Sequence, residues 1–288
     1  IIGRPNVGKS TLMNSLVGER MSIITAKPQT TRHRIIGIVS GDDFQIVFSD
    51  TPGYINDPKY EMHHSMNTFV GMSFEDGDIL IFVTDFDEVF DDDDPLLKYI
   101  ANSTVPKLLV LNKVDTRKDE EILSRLRNWQ DRIPFDECVP VSALKGFNLD
   151  KLIGVIRKHL PEGQAYYPKD QLTDKSERFF VSEIIREKIL ELYHQEIPYS
   201  VEVSIEQFKE RESKSGPMIH IEATIYVNRK TQKSILIGKG GQSIKRLGTD
   251  ARRAIEKFID TRVFLELFVK VRENWRDNKQ QLRRFGYQ

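Results

Sequence analysis

The sequence predicts an α/β chain in two parts: a larger domain on a mostly parallel sheet with helices on both faces, then a smaller α+β domain. Three observations lead there. Over residues 1–160, short apolar runs alternate with helix-length segments, the pattern of strands buried on both faces. Residues 161–175 (PEGQAYYPKDQLTDK) hold two prolines and a glycine without a clear period, as a linker does. Beyond them, two alternating stretches precede a glycine-rich loop set between helical segments.

In the first part, strands are expected at Gln45–Phe48, Asp78–Thr84, Lys107–Leu111 and Cys138–Val141, and helices at Lys9–Val17, Asp94–Ala101, Glu120–Arg132 and Leu149–His159. Ile35–Val39 and Phe44–Phe48 flank the turn residues 40–43, so one edge of the sheet is expected to be an antiparallel hairpin. In the second part, Ser176–His194 reads as a helix with Ser176 as its N-cap. Val201–Glu210 and Met218–Val227 read as half-buried strands joined by a turn at 211–216. A basic helical stretch to Ile259 and a last strand, Val263–Val271, follow the glycine loop. The domains expected are therefore 1–160, a linker at 161–175, and 176–288.

With 288 residues, 39% hydrophobic and 30% charged, the chain has the balance of a soluble globular protein, and no run of 18 apolar residues suits a membrane span. Cys138 is the single cysteine, so an intrachain disulfide and a cysteine metal cluster are excluded, and a reducing compartment such as the cytoplasm is expected. No secretory signal is visible. The opening Ile1-Ile2 reads as the end of a strand whose start precedes it; a targeting segment could precede it too, which leaves an organelle open. The zero net charge hides an asymmetry: residues 1–170 hold 20 Lys and Arg against 26 Asp and Glu, whereas residues 228–288 hold 16 against 6. Such a basic terminal region is the footprint of a polyanion partner.

GRPNVGKS at 3–10 fits G-x-x-x-x-G-K-[ST] between an apolar start and a helix. In this pattern the backbone N–H groups of Gly3, Arg4, Pro5, Asn6, Val7 and Gly8 (proline excepted) wrap phosphate oxygens, together with the first turn of the helix that carries Lys9, Ser10 and Thr11. Lys9 should reach the β- and γ-phosphates, and Ser10 a magnesium ion. DTPG (Asp50, Thr51, Pro52, Gly53) ends an apolar strand; its Asp suits magnesium and its Gly N–H the γ-phosphate. NKVD (Asn112, Lys113, Val114, Asp115) supplies a carboxylate for the N1–H and exocyclic amine of guanine, donors adenine does not pair together. SAL (Ser142, Ala143, Leu144) offers a backbone N–H to the guanine oxygen. Each motif is weak alone; in this order, at the C-terminal ends of strands, they form one site.

These residues, with PQTTRHR at 28–34 and the joint YYPKDQLTDKSERFFVSEIIREKI, resemble the translation-factor-like class of GTPases and closely the Era family. The resemblance runs over nearly the whole chain. It implies a P-loop GTPase domain joined to a C-terminal RNA-binding KH domain, GTP or GDP and magnesium as ligands, and the small ribosomal subunit and its RNA near the 3′ end as partners. It further implies peripheral contact with the inner face of the cell membrane and a monomer, with no DNA partner. By analogy Thr31, directly before Arg32, is the magnesium-binding switch threonine, with Thr30 the alternative. Where Ras-like enzymes place a water-orienting glutamine after D-x-x-G, this chain has Tyr54, so slow intrinsic hydrolysis is expected. Related GTPases without that glutamine use potassium held by a phosphate-loop asparagine; Asn6 stands at the matching position. Arg32 and Arg34 read as solvated switch-loop charge, with contact to RNA or phosphate as the alternative.

The second glycine loop, SILIGKGGQSIKR at 234–246, lacks the Gly-Lys-[ST] spacing, and no D-x-x-G or N-K-x-D follows it. IGKGG (Ile237, Gly238, Lys239, Gly240, Gly241) instead matches the I-G-x-x-G of a KH domain, whose loop clamps about four nucleotides of single-stranded RNA. Ile235 and Ile244 are expected to anchor it in the core, and Lys245, Arg246, Arg252 and Arg253 to add charge beside Lys239. Two strands before this loop and one after point to the prokaryotic KH type. Asp91–Asp94 reads as a helix N-terminus rather than a metal site, and His63 and His64 as non-catalytic. Trp129 and Cys138 read as packing. The basic tail with Trp275, Phe285 and Tyr287 reads either as base-stacking or as a frayed helix. Beside the GTPase switch stand two further readings: an RNA-binding adaptor that holds GTP without hydrolysing it, invited by Tyr54, and a double-domain assembly GTPase, disfavoured by the single phosphate loop.

Overall fold

The computed structural model describes residues 1–213 and 216–287, and the chain divides into two compact units. The first holds Ile1–Ser22, Thr31–Lys59 and His63–Asp174; the second holds Lys175–Gln288 together with Ile23–Thr30 and Tyr60–Met62. No helix among the described residues is long and apolar enough to cross a membrane.

The first unit is organised by strands whose side chains are buried on both faces. β3 (Leu80–Thr84), β4 (Lys107–Leu111) and β5 (Glu137–Pro140) form a parallel sheet in that order, Phe82 opposite Leu109 and Leu109 opposite Cys138. β1 (Ile35–Ser40) and β2 (Gln45–Asp50) pair antiparallel, as the hairpin pattern predicts, but as a separate two-stranded sheet rather than a continuous edge. Ile1 and Ile2 lie between the two sheets: the Ile1 amino group donates to Ser49 O at 2.8 Å, and Ile2 N to Ile81 O at 2.9 Å. The helices are α1 (Lys9–Val17), α2 (Glu61–Glu75, whose first two residues belong to the second unit), α3 (Pro95–Ala101), α4 (Asp119–Arg132) and α5 (Leu149–His159). Phe82, Phe90, Trp129 and Ile133 centre one apolar cluster, with Cys138 packed against it. Burial pushes the Cys138 thiol up. Asp94 caps α3, its Oδ1 accepting from Leu96 N at 2.9 Å, and Pro95 occupies the first turn, where its missing N–H costs nothing.

The second unit runs α6 (Glu177–Leu192), β6 (Val201–Ser213), β7 (Gly216–Val227), α7 (Lys230–Ile237), α8 (Gln242–Ile259), β8 (Val263–Val271) and α9 (Lys279–Arg284). β6 and β7 pair antiparallel and β7 and β8 parallel, and the inward side chains of all three close on the apolar faces of α6 and α8. Ser176 stands at the N-cap of α6, but its hydroxyl makes no capping bond. The turn expected at 211–216 is corrected: the ladder continues to Ser213 opposite Gly216, and residues 214 and 215 lie outside the described residues. Charged side chains on this far end are exposed, so their polarity hid the extended backbone that cross-strand hydrogen bonds sustain. The segment 23–30 is held on α6: Arg186 Nη2 donates to Thr30 O at 2.5 Å, and Lys27 Nζ donates to Leu190 O and Tyr193 O. Arg186 is buried, and Glu183 receives its guanidinium in a bidentate pair at 2.8 and 2.5 Å.

Candidate nucleotide site and nucleic-acid interface

The loop 3–8 connects Ile2 to α1, and side chains from two other strand ends hold its backbone. Asn112, just past β4, donates Nδ2 to Val7 O at 2.8 Å and accepts from Ala143 N at 3.0 Å, so one amide ties the phosphate loop to the loop after β5. This is why residue 8 is glycine: it has φ 98°, and a Cβ there would sit 2.3 Å from Asn112 Nδ2. Lys113 Nζ donates to Asn6 O at 2.8 Å and pairs with Asp85 at 2.6 Å. Asp115 Oδ1 accepts from Ser142 Oγ at 2.6 Å, and Ser15 Oγ donates to Ala143 O at 2.8 Å. Val7 and Val114 are buried, Leu144 is exposed, and Thr11 lies in the first turn of α1. The residues expected to read the base thus come together around the loop expected to hold phosphate.

Lys9 is buried, its Nζ donating to Gly3 O at 3.0 Å and Arg4 O at 2.8 Å. Burial lowers its pKa to about 8 against the opposing pull of Asp50 and Glu88. Arg4 points away from the loop interior: it pairs with Asp94 at 2.5 Å, donates to Val89 O at 2.7 Å and lies 3.9 Å from the Phe90 ring centroid.

Asp50, at the end of β2, is buried. Its Oδ2 accepts from Ser10 Oγ at 2.7 Å and from Ser22 Oγ at 2.9 Å, while Oδ1 is buried with no hydrogen-bond partner. Burial raises its pKa, opposed by Lys9 and by the hydroxyls of Ser10 and Ser22. Thr31 Oγ1 lies 2.8 Å from Ser10 Oγ. Two hydroxyls and a carboxylate with an orphaned oxygen are a hard, all-oxygen donor set, and they fit magnesium. Thr30 is not part of this group; its hydroxyl donates to Lys27 O at 2.6 Å and lies 2.7 Å from Thr25 Oγ1. Thr51 and Pro52 are buried and Gly53 lies against Pro5. Tyr54 packs partly buried against the Phe82–Trp129 cluster, and burial raises its phenol pKa.

Two expectations about charge are corrected here. Arg32 is fully buried rather than solvated, and Arg34 donates to Ser49 Oγ at 2.7 Å and to Asp76 at 2.9 Å. The acceptors of Arg34 lie 15 and 42 residues away in the sequence, so no local pattern displays them. Ser22 lies in none of the sequence motifs, so only the fold reveals its contact with Asp50.

In the second unit the glycine loop joins α7 to α8. Gly238, Gly240 and Gly241 all have positive φ, at 74°, 58° and 77°. A Cβ on Gly238 would lie 2.2 Å from Ser243 Oγ, whereas at Gly240 it would meet open space. Lys239 and Gly240 are exposed, and Ile237 and Gly241 partly so. Ile235 is 51% exposed and is corrected as an anchor; Leu236, fully buried, takes that place, its carbonyl accepting from Tyr193 Oη at 2.8 Å, and Ile244 packs partly buried. One residue along a helix turns the side chain by about 100°, enough to exchange core for solvent. Lys245, Arg246 and Arg253 are exposed, while Arg252 is paired with Glu256 at 2.8 Å.

The tail matches neither alternative expected for it. Trp275 is fully buried with Nε1 donating to Ser200 O at 3.1 Å, and Tyr287 Oη donates to Glu202 Oε2 at 2.7 Å. Phe285 meets Trp275 edge-on and Tyr226 at 5.3 Å. Those rings fill one end of the unit and are not presented for base stacking.

Family models match the chain in two places: one described as a 50S ribosome-binding GTPase over residues 1–113, the other as a KH domain over residues 196–276. Over its full length the chain is 46% identical to the GTPase Era of Geotalea daltonii and covers 96% of that protein. It is 45% identical to the GTPase Era of Clostridium acetobutylicum, again covering 96%. A crystal structure of Era in complex with MgGDPNP and nucleotides 1506–1542 of 16S ribosomal RNA matches with a TM-score of 0.93 at 38% identity, over 99% of this chain and 96% of that one. A substituted Aquifex aeolicus Era bound to GDP·AlF4− matches equally, with a TM-score of 0.93 at 38% identity, over 99% and 97%.

Proposed function

The chain belongs to the Era GTPase family, and from that premise we propose that it is a GTP-hydrolysing switch that binds single-stranded small-subunit ribosomal RNA near its 3′ end and assists maturation of that subunit. The observation that carries the reading is the coexistence, in one chain, of the Asn112-centred nucleotide site and an exposed I-G-K-G-G loop in a basic unit.

The guanine N1–H and amine are taken by the Asp115 carboxylate, which Ser142 holds in place through a hydrogen bond to Oδ1. The phosphates lie along the N–H groups of residues 3–11, where the helix end favours negative charge and Lys9 gains the anion its burial lacks. Ser10, Thr31 and Asp50 are the residues for magnesium, which neutralises charge on the β- and γ-phosphates. Tyr54, packed against the Phe82–Trp129 cluster, stands where Ras-like enzymes carry the water-orienting glutamine, and slow intrinsic turnover is part of the proposal. Asn6 is the candidate potassium ligand; equal steady-state hydrolysis in potassium and sodium removes it. At the other site, Ile237–Gly241 clamps the RNA backbone, and Lys239, Lys245, Arg246, Arg252 and Arg253 supply charge. The domain assignment that accompanies this reading is 1–160, 161–175 and 176–288. A cytoplasmic location with peripheral membrane contact is part of the proposal by family likeness.

Crosslinking the protein to RNA with GTP or GDP bound, then sequencing the RNA, tests it. Selective capture of the small-subunit 3′ end in the GTP state is expected; nucleotide-independent capture of unrelated RNA refutes it. The adaptor reading is excluded by GTP turnover that disappears in Ser10→Ala.

A further inference from the structure

Ser22 belongs to none of the motifs that mark the nucleotide site, yet it reaches the same carboxylate as the phosphate-loop serine. After α1 ends at Val17, the chain turns back and is gripped by Asn14: its Oδ1 accepts from Met21 N at 2.9 Å and Ser22 N at 2.8 Å, and its Nδ2 donates to Ser22 O at 2.7 Å. Both sides of the Ser22 backbone are therefore fixed from α1, and the residue is 3% exposed. From that position its hydroxyl donates to Asp50 Oδ2 at 2.9 Å, the oxygen that also accepts from Ser10 at 2.7 Å. Both donors fall on one oxygen; the other, Oδ1, is buried and has no partner.

A carboxylate with two donors on one oxygen is restrained in rotation, so its other oxygen has a fixed direction. We propose that Ser22 is a positioning residue for the magnesium site: it fixes Asp50 so that Oδ1 faces the cation, either directly or through water. The inference rests on the GTPase reading of the site. Ser22 and Thr31 flank residues 23–30 in the sequence. Thr31 meets Ser10, and Ser22 meets Asp50. Outer partners of ligating carboxylates set metal affinity through orientation and basicity, and their loss typically lowers it about 10–100-fold.

The test is the release of a fluorescent GDP analogue from the full chain, measured against free MgCl2 concentration. Ser22→Ala is expected to raise the half-saturating magnesium concentration about 10-fold, with nucleotide affinity in EDTA unchanged. Ser22→Thr, which keeps the hydroxyl, is expected to stay closer to the parent. Unchanged magnesium dependence in Ser22→Ala, or an equal loss of nucleotide affinity with and without magnesium, overturns the proposal. Should the alanine variant fail to fold, Ser22→Cys, near in size but a weak donor, is read by the same criterion. Ser10→Ala run in parallel separates the two levels: if it too leaves magnesium dependence intact, the site reading fails, whereas a silent Ser22→Ala beside a responsive Ser10→Ala sinks only this inference.

Discussion

Glu88 lies largely buried close to the phosphate loop, with Oε2 accepting from Thr84 Oγ1 at 2.7 Å and Oε1 without a hydrogen-bond partner. Burial pushes its pKa from 4.5 up to about 7, with Thr84, Arg4 and Lys9 opposing and Asp85 reinforcing. The folded state therefore holds this proton more tightly than the unfolded chain does. Stability from this group falls as pH rises from 4.5 to about 7, and the full cost persists above. Glu88→Gln keeps an acceptor for Thr84 and removes the charge. It is expected to be more stable than the parent at pH 8 by about 1–3 kcal/mol, with the gap closing toward pH 5; thermal unfolding at both pH values would falsify this if the order were reversed. Asp115 makes the complementary case of a charge that is wanted. Ser142 Oγ donates to its Oδ1, which holds the carboxylate while leaving acceptor capacity on both oxygens for the two guanine donors. Asp115→Asn should weaken GTP binding by roughly 1.5–3 kcal/mol, the range for a charged hydrogen bond, and shift preference toward xanthine nucleotide. Competition binding reads both effects.

At the level of elements, the two helices around residues 238–241 show how one loop separates folding from binding. Gly238 touches Ser243 where a Cβ would stand, so Gly238→Ala is expected to destabilise the unit, by roughly 1–3 kcal/mol of overpacking and strain. Gly240 is also left-handed but faces open space, and aspartate tolerates that conformation better than most residues. Gly240→Asp should leave the unfolding temperature and GTP affinity near the parent values while abolishing RNA binding through repulsion of the backbone; RNA titration together with a melting curve separates the two. The motif was legible because spacing alone defines it. Its anchors were not: Leu236 rather than Ile235 faces the core, and both are apolar, so only the helix's seating on the sheet distinguishes them. Thr31 and Thr30 pose the same problem. Adjacent and identical in type, they are told apart by which hydroxyl the tertiary fold brings to Ser10.

For the molecule as a whole, charge is the property that composition conceals. The region 228–288, with 16 basic against 6 acidic residues, should make RNA affinity fall linearly in the logarithm of salt concentration. Replacing Lys239 or Lys245 by Ala is expected to reduce that slope by about one each if both contact phosphate; slopes identical to the parent would remove them from the interface. The buried tail gives a second whole-molecule expectation. Trp275→Ala should cost about 3–5 kcal/mol, visible in denaturant unfolding, because the ring is enclosed and its N–H is bonded to Ser200 O. The sequence by itself determined the strand–helix alternation, the two glycine loops and the order of the nucleotide motifs, since these depend on spacing along one backbone. The three-dimensional fold alone decided that Arg32, Trp275 and Tyr287 are interior, that the hairpin of β1 and β2 stands apart from the parallel sheet, and that Ser22 reaches Asp50. Those outcomes depend on which distant groups meet, and Ser22 and Asp50, 28 residues apart, share no local pattern that could announce the contact.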